Sequence, residues 1–200
     1  MIIKCYNENH PYILFLDLEF FYEKGKNHLI QFAGLLFQRV EDNIYQLKTS
    51  VNQYITDKVC YPFVEYTSIT NNFLKENGIP LNDFIHILFE DILGEIPDKE
   101  LLVVSHGLKN DRLVLLENDI DLTTNIDGYC TFTNARRILS RSSQLTLQDI
   151  ANESGYYLHN AHNAYNDVWA TVAAYTYLKK IEQQRKDEKL CTSATSTNSN

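Results

Sequence analysis

Asp17 and Glu19 stand two residues apart inside YILFLDLEFF, a run that is otherwise apolar and aromatic. In a strand, successive side chains point to opposite faces. Tyr12, Leu14, Leu16, Leu18 and Phe20 then share one face, and Ile13, Phe15, Asp17, Glu19 and Phe21 share the other. This is not the ordinary apolar-in, polar-out alternation. Two carboxylates about 4 Å apart repel by roughly 4 kcal/mol at an effective dielectric near 20, and partial burial adds a desolvation cost. A hard divalent cation removes both problems, because it takes oxygen ligands and brings the missing charge. The alternative is an edge strand whose second face meets solvent at its end.

Two further stretches carry carboxylates at structurally informative places. VVSHGLKNDRLVLL puts Asp111 near the start of a helix that follows an apolar strand, where open α/β sheets gather ligands. Asp111 shares a helical face with Leu108, Val114 and Leu115; a plain first-turn Asp favoured by the helix dipole would look the same. HNAHNAYNDVWAT contains His162 and Asp167. Five residues on a helix is about 140° of rotation, so the small and polar residues at 160–166 place His162 in a loop and Asp167 near a helix start. Alone, His162 reads as structural, as does His159, and Asp167 as a cap. Together, four acids from three segments and a neighbouring His form the set that two-metal phosphodiester hydrolysis uses, in which bound ions activate water and stabilise the displacement.

The elements that must position these residues follow from periodicity. Strands are expected over 12–21, 28–40 and 43–51, with the polar EDN between the last two as a hairpin signal. Helical patterns follow at 68–78, stopped by Gly78, and at 81–94, stopped by Gly94. ELLVVSHG (100–107) reads as a buried parallel strand, and 108–119 as a helix. A short strand near Gly128–Thr131 precedes FTNARRILSR. A helix is expected over 143–155 with Ser143 as its cap and Gly155 as its stop, and a last helix over 164–183. The Ser/Thr/Asn-rich end cannot bury a core, so 184–200 is expected to be a disordered polar tail after a domain spanning 1–183. Hairpin strands followed by alternating helices and strands imply an α/β fold, a mixed sheet with helices on its faces.

Composition limits the partners. The 200 residues suit one domain, and 44% apolar with 22% charged residues is globular. A net charge of −8 argues against a broad basic surface for long duplex DNA and favours a single strand end at a metal-charged site. Cys5, Cys60, Cys130 and Cys191 form no CxxC pair and suggest no zinc site; they read as reduced thiols of a cytoplasmic protein. No signal peptide is visible. No stretch reaches the roughly 20 apolar residues of a membrane span, so no membrane partner is expected.

FLDLEF, SHGLKND and HNAYND resemble the three motifs of the DnaQ-like (DEDDh) 3′–5′ exonucleases, which have the ribonuclease H-like fold. The resemblance spans roughly residues 12–183 and extends to LIQFAGLLF after the first motif and YCTFTNARRIL between the second and third. Phe20 stands where the family often has Thr, and Gly107 and Asn110 replace the Asn and Phe of the second motif. These departures bear on substrate preference rather than on chemistry. The resemblance implies a sheet with three antiparallel strands first and parallel strands after. It implies that Asp17, Glu19 and Asp167 hold two Mg²⁺ or Mn²⁺ ions, with Asp111 contributing directly or through water, and that His162 is the general base. Leu18, Phe20 and His106 would contact the 3′-terminal nucleotide, Phe20 by stacking if it does not simply pack in the core. The implied reaction releases nucleoside 5′-monophosphates from the 3′ end of single-stranded DNA or RNA, with a polymerase or other protein as a further partner. The rival reading is a non-catalytic nucleic-acid- or polymerase-binding module on the same fold.

Overall fold

The computed structural model describes residues 1–56, 67, 69–122, 124–141 and 145–196, with side chains to residue 191. Six strands form one sheet in the order β1-β4-β3-β2-β5-β6. They are β1 (Ile2–Lys4), β2 (Tyr12–Glu23), β3 (Lys26–Glu41), β4 (Ile44–Tyr54), β5 (Leu101–Ser105) and β6 (Asp127–Cys130). β2, β3 and β4 pair antiparallel, whereas β5 joins β2 in parallel and β6 joins β5 in parallel. The mixed α/β sheet expected from the sequence is therefore present.

β2 is central, so the edge-strand alternative for Asp17 and Glu19 fails. Its two faces feed two cores. Leu14, Leu16 and Leu18 pack with Phe84 and Leu88 of the segment that starts as α2 (Leu81–His86), and with Leu108, Val114 and Leu115 of α3 (Leu108–Glu117). Ile13 and Phe15 pack with Ala164, Val168, Val172 and Tyr175 of the last helix, α6 (Ala164–Ser196). Phe15 meets Phe37 and Tyr175 edge-on at 5.6 and 5.3 Å, contacts worth about 0.5–1.5 kcal/mol each beyond burial. Asp17 and Glu19 continue the α6-side face past Phe15, where the apolar filling stops.

Several boundaries differ from expectation for local reasons. α1 (Asn71–Asn77) is capped by the Thr70 side chain, which accepts from the Phe73 N–H, and ends at Gly78. After His86 the α2 segment widens to π-helical geometry over Ile87–Leu93 before Gly94. α4 spans Thr131–Ile138. α5 (Leu147–Ser154) begins at a reciprocal Thr146–Asp149 capping box rather than at Ser143, and Gly155 ends it with φ 87°. Ser143 and Cys60 lie outside the described residues. α6 runs to Ser196 where a disordered tail was expected from 184. Gln, Arg, Lys, Glu and Leu are good helix formers, so QRKDEKL extends the helix without a core to bury. No helix among the described residues is long and apolar enough to cross a membrane.

The segment before β2 is pinned to α6 by buried Glu8. Its Oε2 accepts from the Tyr175 hydroxyl at 2.5 Å and from Lys179 Nζ at 3.2 Å, and its Oε1 meets His10 Nδ1 at 2.5 Å. Burial alone would raise the Glu8 pKa. The hydrogen bonds from Tyr175 and His10 and the Lys179 charge outweigh it and hold the carboxyl at about 2.

Candidate active site

The sheet brings the separated acidic segments to one place. β2 delivers Asp17 and Glu19, the first turn of α3 delivers Asp111, and the first turn of α6 delivers Asp167. Asp17, Glu19 and Asp167 each offer a carboxylate oxygen, and these oxygens lie within 4.8 Å of one another. A cavity of about 440 Å³ opens over them, a size typical of small-ligand sites. All eight residues expected at the site line it: Asp17, Leu18, Glu19, Phe20, His106, Asp111, His162 and Asp167. Phe20 both lines the cavity and packs against the core, so its two readings are compatible. His159 does not line the cavity.

Residues that the catalytic motifs did not single out shape the site around the carboxylates. Ser105, the last residue of β5, donates its hydroxyl to Asp111 Oδ2 at 2.5 Å. Gly128 of β6 lets α3 approach closely: a Cβ there would fall 2.6 Å from Leu108 Cδ2 and 2.7 Å from Arg112 Nη2, either side of Asp111. Gln31 of β3 sits opposite Glu19 in the ladder and is fully buried. Its Nε2 donates to Asn52 Oδ1, while its Oε1 accepts the first N–H of α6, from Ala164, at 3.3 Å. The signal for Gln31 was present, as the lone polar residue in LIQFAGLLF. Asn163 Oδ1 accepts from the Tyr165 and Asn166 N–H groups, which completes the α6 start.

Asp167 joins this helix start to the loop before it. The His162 backbone N–H donates to Asp167 Oδ2 at 2.9 Å. His162 has φ 66° and Asn160 φ 53°, conformations that non-glycine residues rarely adopt. The loop is thus held in a strained shape by the carboxylate it flanks. The other oxygen, Asp167 Oδ1, is buried and has no hydrogen-bond partner.

Electrostatics set the character of the cavity. Burial raises the Asp17 pKa well above normal, and the charges of Asp111, Asp167 and Glu19 raise it further. Burial and then Asp167 push Glu19 up to about 7. Burial also raises Asp111 and Asp167, opposed by Ser105 at the former and by the His162 N–H at the latter. Among the described residues no Lys or Arg lines the cavity. His106 brings no charge at neutral pH, because burial lowers its pKa to about 4. The Thr131 hydroxyl lies 3.4 Å from the Ser105 carbonyl oxygen and 2.9 Å from His106 Nδ1, which fixes the ring's orientation at the cavity. Three converging carboxylates, an orphaned buried oxygen and no cationic side chain fit a hard divalent cation.

Comparison with solved structures finds this architecture in nucleases. The chain superposes with a TM-score of 0.62 on a 3′-exonuclease solved in 3′-end-specific recognition of a histone mRNA stem-loop, at 14% identity over 85% of this chain and 64% of that one. Cell-death related nuclease 4 gives 0.63 and 14% over 86% and 64%. The RNase domain of yeast Pop2 gives 0.58 and 12% over 86% and 77%. The chain spans just under two thirds of the first two structures. No protein-family model matches the sequence, and no curated protein matches it. At these identities the likeness is one of fold: the chain has the ribonuclease H-like fold seen in these exonuclease structures.

Proposed function

We propose that the chain is a metal-dependent 3′–5′ exonuclease of the DnaQ-like (DEDDh) kind, acting on single-stranded DNA or RNA and releasing nucleoside 5′-monophosphates. One observation carries the reading. Four carboxylates and a histidine from three distant segments line one 440 Å³ cavity, and its acidic oxygens have no cation of their own. Asp17, Glu19 and Asp167 would hold Mg²⁺ or Mn²⁺, with Asp111 beside them. Divalent cations supply activation of water and charge to offset the phosphate at such a site.

The remaining roles belong to the chain's own groups. An imidazole nitrogen of His162 takes the proton of the attacking water. The bond from its backbone N–H to Asp167 keeps that ring at the cavity mouth. The neutral His106 ring suits a sugar hydroxyl of the terminal nucleotide, while Leu18 and Phe20 give that nucleotide an apolar wall. Ser105 keeps Asp111 turned toward the cavity.

The test is digestion of 5′-labelled single-stranded DNA and RNA with EDTA, Mg²⁺ or Mn²⁺. A descending ladder that appears only with metal is expected. Metal-independent hydrolysis, cutting of a closed circle, or no hydrolysis of either strand would refute the reading, the last in favour of a binding module.

A further inference from the structure

A second cavity, of about 470 Å³, lies between β1, the end of α5 and α6. Its floor is one stripe of α6, with Ala173, Thr176, Tyr177 and Lys180 at helical spacing. Ala173 is small, and the Thr176 hydroxyl turns back to the carbonyls of Val172 and Ala173 at 3.0 Å each. No side chain on the floor therefore fills the cleft. Tyr6 and Tyr156 add aromatic walls, and Lys4 and Lys180 bring two cations.

Its charge is opposite to that of the protein. Among the described residues no carboxylate lines this cleft, in a chain of net charge −8. Neither Lys4 nor Lys180 forms an ion pair among the described residues. Lys4 Nζ lies 4.8 Å from the centre of the Tyr6 ring. Glu153, which accepts from the Tyr177 hydroxyl at 3.4 Å, is paired with Arg141. Phenol rings beside ammonium groups that pair with no described carboxylate are a combination that holds a single-stranded nucleotide, the rings by stacking and the cations through phosphate.

α5 connects this cleft to the acidic cavity. Leu147 and Gln148 in its first turn line the acidic cavity, and Ser154 at its end lines the cleft. At 1.5 Å per residue those ends are about 10 Å apart. Resting on the nuclease reading above, we propose that the cleft is a second nucleotide subsite, with a base against Tyr6, Tyr156 or Tyr177 and a phosphate on Lys4 and Lys180. An upstream nucleotide of the digested strand and a free nucleoside monophosphate share that chemistry.

The experiment compares the parent with Lys4→Glu/Lys180→Glu and with Ala173→Phe, which fills the floor; none of these residues lines the acidic cavity. Far-UV circular dichroism checks that each is folded. Binding of adenosine 5′-monophosphate and of a single strand of about twelve nucleotides is measured in EDTA over a salt series. Hydrolysis of that strand and of a dinucleotide is measured in Mg²⁺. Both variants should bind the strand about 10-fold more weakly, and the charge-reversed one should lose about 0.7 from its salt slope, one phosphate's worth. KM for the strand should rise while dinucleotide hydrolysis stays unchanged. Monophosphate that binds the parent and not the variants identifies free nucleotide as a ligand; strand loss without monophosphate binding identifies the strand alone. Equal strand affinity and slope in all three folded proteins, or no binding of either probe by the parent, overturns the proposal. A parent that binds but does not hydrolyse refutes the nuclease reading instead, and the binding arm still decides the cleft.

Discussion

Asp17→Asn should make the metal-free protein more stable and inactive at once. Carboxylate oxygens within 4.8 Å of one another repel by roughly 3.5 kcal/mol per pair or more at an effective dielectric near 20. Burial adds to this repulsion, and the two together, burial first and then the Asp167 charge, push Glu19 up to about 7. That rise from 4.5 corresponds to roughly 3 kcal/mol of disfavoured ionisation, which partial exposure of Glu19 trims to about 1–2 kcal/mol. The sign follows from the raised pKa values. Native Glu19 and Asp17 keep protons that the unfolded chain releases, so the metal-free native state is most favoured below about 4.5 and loses stability as pH rises toward 7. At pH 8 in EDTA, Asp17→Asn removes an acid whose ionisation the folded cavity opposes and should gain about 1–3 kcal/mol, a Tm increase of about 2–10 °C. At pH 4 the gain should shrink toward zero. Mg²⁺ at 100 times its Kd should then stabilise the parent by about 2.7 kcal/mol and the variant far less. Thermal melts of both proteins at pH 4 and 8, with and without Mg²⁺, decide the matter. If Asp17→Asn melts at or below the parent in EDTA at pH 8, or gains as much from Mg²⁺, the carboxylates do not form a repulsive, cation-seeking cluster.

Two other outcomes follow from named contacts. His162→Asn should lower turnover by about 10²–10⁴-fold, the usual worth of a positioned base, with strand and metal binding kept. Asn tolerates the φ of 66° and retains the backbone bond to Asp167, so a rate equal to the parent's in single-turnover assays would make His162 structural. Glu8→Gln should cost on the order of 3 kcal/mol at pH 7, because the depressed Glu8 pKa contributes stability above about 4.5 that fades as pH falls toward 2. Urea midpoints of parent and variant should converge near pH 2, and a gap that persists there would assign the loss to packing instead.

Asp17 and Glu19 were legible because they break the pattern of a strand whose two faces are otherwise apolar, and a central strand has no solvent face to put them on. Asp111 and Asp167 were readable only as members of a set, since each alone is an ordinary first-turn acid. Ser105, Thr131 and Gln31 escaped because their roles depend on which strand lies beside which; nothing local says that a Gln on β3 will meet the first N–H of α6. β1 carries no periodicity, and backbone bonds hold it, such as Leu47 N–H to the Met1 carbonyl and Cys5 N–H to the Asn43 carbonyl. The π-helical widening at Ile87–Leu93 uses the same apolar spacing as an α-helix, so the pattern could not separate them. The continuation of α6 past 183 was misread because a segment without core residues can still be helical through propensity and pairs such as Gln183–Asp187.

Asp167 links the two halves of the site in a way the motif alone does not convey. Asp17, Glu19 and Asp111 sit on a strand and a helix backed by the core, whereas His162 sits on a loop with two left-handed residues. That loop has little burial of its own, because His162 and its neighbours Asn160 and Ala161 are exposed. A bond from the His162 N–H to Asp167 Oδ2 therefore bears much of the positioning, while Oδ1 of the same carboxylate is buried without a hydrogen-bond partner. Charge at Asp167 strengthens the bond to the loop, and protonation weakens it. A cation that keeps Asp167 ionised would thus also strengthen the hold on the loop at Oδ2, so the charge balance of the cavity and the position of its histidine change together.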